Sequence, residues 1–268
     1  MADEARFLLL GGDARQTFLA EALKTRFPVG TLGVPALPDT PLEDGAHLVL
    51  PCPAFTPQGA LRGEKAPPFS AVEARLRPGV TVYCGKPGAL AAAMQRRGAR
   101  VVDLLQDETA AWENARLTAE GALRLALEQG SLLGKACVVI GYGRIGRLLA
   151  CLLWRMGAQV TVAARKAADR AMAEALGLRA VCPGDGLPET TALVFNTAPA
   201  QALPVAELAA LEPACVWVEL ASAPGGLPDT PAFSFRKLDA GGLPGRFFPR
   251  DAAQVLCRAI LRHLERGT

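Results

Sequence analysis

The sequence lacks the spacing of a structural metal site. Its seven cysteines, at positions 52, 84, 137, 151, 182, 215 and 257, include no C-x-x-C pair. An odd number without such pairing argues against a disulfide framework and a zinc site, so no metal is expected and a reducing cytoplasm is the predicted compartment. Histidine is scarce too: only His47 and His263 occur, and neither has an acidic partner in a motif. A His–Asp or His–Glu proton relay is therefore not expected. The H-E-x-x-H, G-x-S-x-G and phosphate-loop lysine motifs are all missing. Every long apolar stretch is cut by Pro, Gly or charge before it reaches bilayer-spanning length. The opening Met1-Ala2-Asp3-Glu4 is acidic where a secretory signal is basic. Together these predict a soluble chain with no membrane partner. Charge of one sign is also in short supply, with 29 Lys and Arg against 26 Asp and Glu and no dense basic block. Nucleic acid is thus excluded as the main partner.

What is present is apolar material and turn residues. Half of the 268 residues are hydrophobic, aromatics make up 6%, and there are 27 Gly and 21 Pro. That profile suits an α/β protein with many tight turns, and the length predicts two domains. Apolar runs at Phe7–Leu10, His47–Leu50, Val80–Cys84 and Arg100–Leu104 read as strands, with helical patterns over 16–26 and 89–97. The Pro- and Gly-rich stretch 56–68 reads as a surface loop, and 107–129 as one long helix. A second series starts at Lys135, with strands predicted over 136–140, 159–164, 192–196, 216–220 and about 234–239. Helices are predicted over 147–156, 168–176 and 252–266. Strands alternating with helices make a parallel sheet. The expected fold is therefore two Rossmann-like, doubly wound parallel-sheet domains joined by a long helix. The boundaries expected are 1–108, a connector over 109–130, 131–248, and a C-terminal helix over 249–268 packing back on the first domain.

The sharpest chemical signal is Gly141-Tyr142-Gly143-Arg144-Ile145-Gly146, which follows an apolar strand and opens a helix. In that context G-x-G-x-x-G is a dinucleotide fingerprint. Gly141 permits the tight turn, Gly143 admits a pyrophosphate, and Gly146 lets the helix approach the strand. The helix start then offers free N–H groups to the phosphates. An NAD site usually carries Asp or Glu about 20 residues beyond the glycines. Here that region reads Val162-Ala163-Ala164-Arg165-Lys166. Guanidinium and ammonium groups suit a 2′-phosphate, so NADP(H) is favoured over NAD, with Arg144 adding charge.

At the next strand ends, Asn196, Thr197 and Ala198 are candidates for the nicotinamide ribose, although Asn and Pro are turn formers in any case. Leu220, Ala221 and Ser222 occupy the equivalent place one strand on, and Gly225-Gly226 permits close backbone approach. Near the start, Gly11-Gly12-Asp13-Ala14-Arg15 fits two descriptions. One is an anion-binding turn with Arg15 on a carboxylate; the other is a helix start with Asp13 as N-cap. On the long helix Asn114, Thr118 and Gly121 share one stripe, and Glu120 can pair with Arg116 and Arg124.

These segments resemble the A-type subunits of dipicolinate synthase, a family of bacterial sporulation. The resemblance spans nearly the whole chain through the blocks GGDAR (11–15), NARLTAEGAL (114–123), GYGRIG (141–146), AAR (163–165), NTAPA (196–200), LASAPGG (220–226) and GLPG (242–245). It implies an architecture similar to D-2-hydroxyacid dehydrogenases, with two domains about a cleft. It further implies oxidation of dihydrodipicolinate to dipicolinate with NADP, in the mother-cell cytoplasm during sporulation. The partner it implies is the B-type subunit of dipicolinate synthase. A homo-oligomer is also compatible with it. Several positions depart from the family pattern: Leu117 and Gly241 replace prolines, Glu219 an aspartate and Ala223 an arginine, and Asp251 and Ala253 stand for Thr and Gly.

On that basis the small dicarboxylate is expected on Arg15, assisted by backbone N–H groups near Gly12 and Gly245 and by Thr118 and Gly226. Asp13 and Glu120 are the candidate proton acceptors beside Arg15 in the catalytic set. Two other functions fit the same plan: a non-catalytic nucleotide-binding regulatory subunit, and another NADP-dependent dehydrogenase of a small carboxylic acid.

Overall fold

A computed structural model describes residues 5–40, 42, 47–229 and 233–266. The reading of Met1–Glu4 lies outside these residues. In chain order the elements are β1 (Phe7–Leu10), α1 (Ala14–Lys24), β2 (Val29–Leu32), β3 (His47–Val49), α2 (Phe69–Glu73), β4 (Thr81–Cys84), α3 (Leu90–Arg96), β5 (Arg100–Asp103) and α4 (Glu108–Leu127). They continue with β6 (Ala136–Ile140), α5 (Arg144–Arg155), β7 (Gln159–Ala163), α6 (Ala167–Ala175), β8 (Arg179–Val181), β9 (Leu193–Asn196), α7 (Val205–Ala209), β10 (Val216–Glu219), β11 (Arg236–Asp239), α8 (Leu243–Phe247) and α9 (Pro249–Arg266). Among the described residues no helix is long and apolar enough to cross a membrane.

The chain forms two compact units. One comprises the residues up to Asn114 together with those from Pro244 onward, and the other runs from Ala115 to Leu243. Each is built on a wholly parallel sheet. Strands β1, β9 and β10 are buried at every residue. That is why they read as apolar runs rather than alternating ones, broken only at the last residue of β9 and of β10. The two sheets differ in strand order. The first is β2-β1-β3-β4-β5, and the second is β11-β10-β9-β6-β7-β8. In both, the chain builds outward on one side of its first strand and then crosses back to the other side. Right-handed crossovers therefore put helices on both faces. The reversal lies between β1 and β3 in the first sheet and between β6 and β9 in the second. Ligands of open α/β sheets bind at such a switch point, beyond the strand C-termini.

Three local differences from the sequence reading bear on function. Helix α5 begins at Arg144, not Arg147, because Gly143 takes the extended N-cap conformation and no side chain caps the helix. Strands β2 and β8 carry no mark in the sequence; β2 contains Gly30 and Thr31 and β8 is only three residues long, too short for a period-2 signal. The stretch 56–68, read as a surface loop, continues from Ala54 as a strap tied to the crest of the first sheet. Ala54 N donates to Gly85 O (2.7 Å) and Gly12 N to Arg62 O (2.7 Å), while Ala54 and Leu61 are buried.

Candidate dinucleotide site and the crest of each sheet

In the second unit the switch point holds the glycine motif. Gly141 has φ +85°, which favours glycine. A Cβ on Gly146 would lie 2.2 Å from Gly141 O, so the first turn of α5 can rest on the strand end only without a side chain. Above Gly143 nothing lies within 4 Å of a Cβ position. The backbone is thus exposed where a pyrophosphate would approach. Thr197 closes the turn from the neighbouring strand: its hydroxyl donates to Ile140 O (2.8 Å) and lies 3.3 Å from Gly141 O. That hydroxyl is directed at the glycine turn.

Beyond β7 the chain turns at Ala164, and Arg165 and Lys166 are exposed there. No acidic residue occupies that turn. Arg170 holds it in place, donating from Nη1 to both Ala164 O and Arg165 O at 2.8 Å. Arg147 braces the glycine loop in the same manner. Its Nε donates to Tyr142 O (2.8 Å) and its Nη2 to Asp169 Oδ1 (3.1 Å). Arg147 is therefore spent on the protein. Arg144, Arg165 and Lys166 are exposed along the crest. Neither Arg147 nor Arg170 stands out in the sequence reading. An arginine in the first turn of the helix after each strand is the signal that marks them.

On the other side of the switch point lies a buried polar cluster. Asn196 is fully buried, not open to a ribose; its Nδ2 donates to Glu219 Oε1 (2.6 Å) and Ala198 O (2.9 Å), and its Oδ1 accepts from Ala198 N. Glu219, 7% exposed, also accepts from Trp217 Nε1 (3.1 Å), Ala221 N (3.2 Å) and Gly226 N (3.0 Å). Gly226 lies so close to Asn196 that a Cβ would overlap its amide. Leu220 is buried, Ala221 half-buried and Ser222 exposed along the same edge. Ile145 and Ala198 are half-buried.

In the first unit the Gly11-Gly12 turn is taken up by the chain's own strap. The Gly12 N–H, expected near a carboxylate, is bound to Arg62 O. Asp13 is the N-cap of α1, accepting from Arg15 N (3.0 Å), and it is also paired with the Arg15 guanidinium at 2.7 Å from Nη2 and 2.9 Å from Nε. Partial burial works to raise the Asp13 carboxyl, but the Arg15 bonds and charge outweigh it and leave it below the ordinary value. Gly245 is packed against this pair: a Cβ there would sit 2.8 Å from Arg15 Nε. The structure thus brings Asp13, Arg15 and Gly245 together. Cys52 lies beside them, desolvated, with its thiol pushed up to about 11.

In the second unit, Thr118 is buried on α4, and Glu120 is ion-paired with Arg116 (Nε–Oε1 2.8 Å). Arg124 pairs with Glu128. Among the described residues no cluster of His, Cys, Asp and Glu could hold a metal. Two cavities, of about 460 and 350 Å³, lie off the crest, one beside α7 and one along the N-terminal ends of β6 to β8.

No protein-family model matches the chain. Over 172 residues it is 31% identical to the A-type subunit of dipicolinate synthase from Bacillus subtilis (strain 168), a match covering 62% of this chain and 58% of that protein. The chain thus spans under two thirds of that relative's length. The crystal structure of the corresponding dipicolinate synthase subunit from Bacillus halodurans is similar with TM-score 0.85 at 22% identity, over 98% of this chain and 99% of that one. The A chain of dipicolinate synthase from Bacillus subtilis gives TM-score 0.79 at 22% identity, over 98% of each. In sequence over that shared segment, and in fold from end to end, the chain resembles the A-type subunits of dipicolinate synthase.

Proposed function

We propose that the protein is the oxidoreductase subunit of a dipicolinate synthase, using NADP to oxidise dihydrodipicolinate in the mother-cell cytoplasm together with a B-type subunit. One observation carries this reading. The glycine turn after β6 is open above Gly143, and the turn after β7 presents Arg165 and Lys166 with no carboxylate. A carboxylate there would repel a 2′-phosphate, and a guanidinium can bind it bidentately. The N–H groups at the start of α5 would hold the pyrophosphate. Bound NADP⁺ would supply the hydride acceptor.

The balanced reaction removes a hydride from one ring carbon and a proton from its neighbour, giving dipicolinate, NADPH and H⁺. Aromatisation supplies driving force, so the protein's task is mainly to orient the ring and to neutralise two carboxylates. Substrate recognition is assigned to the first unit, through Arg15. Asp13 aims that guanidinium by holding its Nε and Nη2, and Gly245 leaves it room.

A second reading has one observation in its favour. Both carboxylates considered as proton acceptors, Asp13 and Glu120, are already engaged by arginines. A nucleotide-binding subunit whose partner completes the chemistry fits that fact. The test begins with calorimetry of NADP⁺ and NAD⁺ on the purified chain. It continues with absorbance at 340 nm after adding dihydrodipicolinate, with and without the B-type subunit. Tighter binding of NADP⁺ and production of NADPH support the proposal. Failure of the chain to take up either dinucleotide, alone or with that partner, refutes it. Arg15→Ala that leaves KM and kcat intact removes the role given to Arg15.

A further inference from the structure

We infer that Glu219 is a positioning residue: its buried carboxylate sets the wall against which the nicotinamide end of the dinucleotide is oriented. The inference rests on the proposed binding of a dinucleotide along the second sheet. Glu219 ends β10 and is the register partner of Asn196, the last residue of β9. Its two oxygens take four donors. Oε1 accepts from Asn196 Nδ2 and Ala221 N, and Oε2 from Trp217 Nε1 and Gly226 N. Two of these donors are backbone groups of the 220–226 segment, at either side of its bend. Gly225 comes within 3.2 Å of the same carboxylate, measured from a Cβ position. One buried side chain thus fastens the segment after β10 at two points and, through Asn196 and its bonds to Ala198, fastens the turn after β9 as well.

A core position asks for apolar atoms, and burying a carboxylate is costly unless every lone pair is met. Here each oxygen has two partners, so the group is held and the chain around it is held with it. Only a carboxylate offers acceptors on both oxygens. In glutamine, either orientation turns an NH₂ toward two N–H donors. Asn196 cannot relieve this by flipping, because Ala198 fixes both ends of its amide. The adenosine half of the site, at β7, is held by other contacts; the cluster reaches the glycine turn only along the chain, through Thr197, whose hydroxyl donates to Ile140 O and lies 3.3 Å from Gly141 O. Loss of the carboxylate should therefore act mainly on the nicotinamide end of the ligand.

The experiment compares wild type, E219Q and E219D as full chains. Each is titrated with NADP⁺ and with 2′,5′-ADP, which carries the 2′-phosphate but no nicotinamide. E219Q is expected to weaken NADP⁺ by about tenfold, the size of one charged hydrogen bond lost, and to leave 2′,5′-ADP within about twofold of wild type. E219D keeps the charge on a shorter arm and should recover part of the loss. Equal NADP⁺ affinity in E219Q overturns the inference. So does an equal loss of both ligands, which would mark a merely structural role. If E219Q does not fold, E219D decides by the same split. Should wild type bind neither 2′,5′-ADP nor NADP⁺, the dinucleotide reading itself fails, and this inference with it.

Discussion

A methyl group is enough to test the glycine turn. At Gly146 a Cβ would meet Gly141 O at 2.2 Å, and backbone cannot move aside as a side-chain tip can. Gly146→Ala is expected to cost roughly 1–3 kcal/mol of stability and to weaken dinucleotide binding, read by urea unfolding and calorimetry. Histidine is a second test at this scale. The Thr81 N–H donates to His47 Nδ1 (3.1 Å), and burial lowers the pKa of His47 below its ordinary 6.5. The unfolded chain then binds the proton more readily, so stability is full above about pH 6.5 and declines as pH falls toward the lowered folded value. Burial lowers His263 as well, with the same sign. His47→Asn, whose side-chain oxygen can still accept from Thr81, should flatten the decline; an unchanged slope in chemical unfolding between about pH 7.5 and 5.5 would refute it. Gly141 and Gly146 were legible because the turn needs glycine at each place, whereas Gly143, with open space above it, was legible only by its spacing from them. The direction of the Asn196 amide was not. A polar residue at a strand end looks alike whether it faces solvent or a buried glutamate 23 positions on.

At the scale of elements, caps and helix faces take over. Asp107 precedes α4 and accepts from Ala110 N (2.8 Å) and from Arg262 of α9 (2.6 Å). Its side chain is 4% exposed. The hydrogen bond from Arg262, above all, holds the carboxyl below its ordinary value. Asp107→Asn keeps a competent cap but loses the ion pair, and should lower stability by about 1–3 kcal/mol. This contribution is present above pH 3.8 and is lost as acid brings the folded carboxyl through its lowered pKa, so the variant's deficit should vanish in strongly acidic unfolding curves. Helix α9 packs on α1 and buries Ile260 completely. Ile260→Ala should cost roughly 2–5 kcal/mol, measured by denaturant midpoint at constant m-value. Long helices such as α4 and α9 are readable because their apolar stripe recurs over several turns. The five-residue helices α2, α7 and α8 are too short to show a period; α2 and α7 each start after a proline, Pro68 and Pro204.

For the molecule as a whole, composition and alternation of elements were sufficient to give two parallel sheets; strand order was not. Nothing in the residues of β3 says that it returns beside β1, since a buried strand looks apolar whichever neighbour it has. The same scale carries a ligand prediction. Binding to the folded second unit alone adds about 2.7 kcal/mol when NADP⁺ stands at about 100 times its Kd. Amide exchange should slow in β6 and β9 in proportion, and no slowing there would count against the site.

The unequal strand orders carry a consequence for anyone comparing the two halves. Counted along the chain, the third strand of the first sheet corresponds to β8, an outer strand. Counted in space, it corresponds to β9, which flanks the reversal. Residues at equal distances from the two glycine turns, at Gly11 and at Gly141, are therefore not counterparts. A graft of the dinucleotide turn into the first half, planned by alignment of the halves, would land its third strand at the wrong side of the sheet and fail. Planned by position beside the first strand, it would have to replace the segment after Pro53 that already occupies the place.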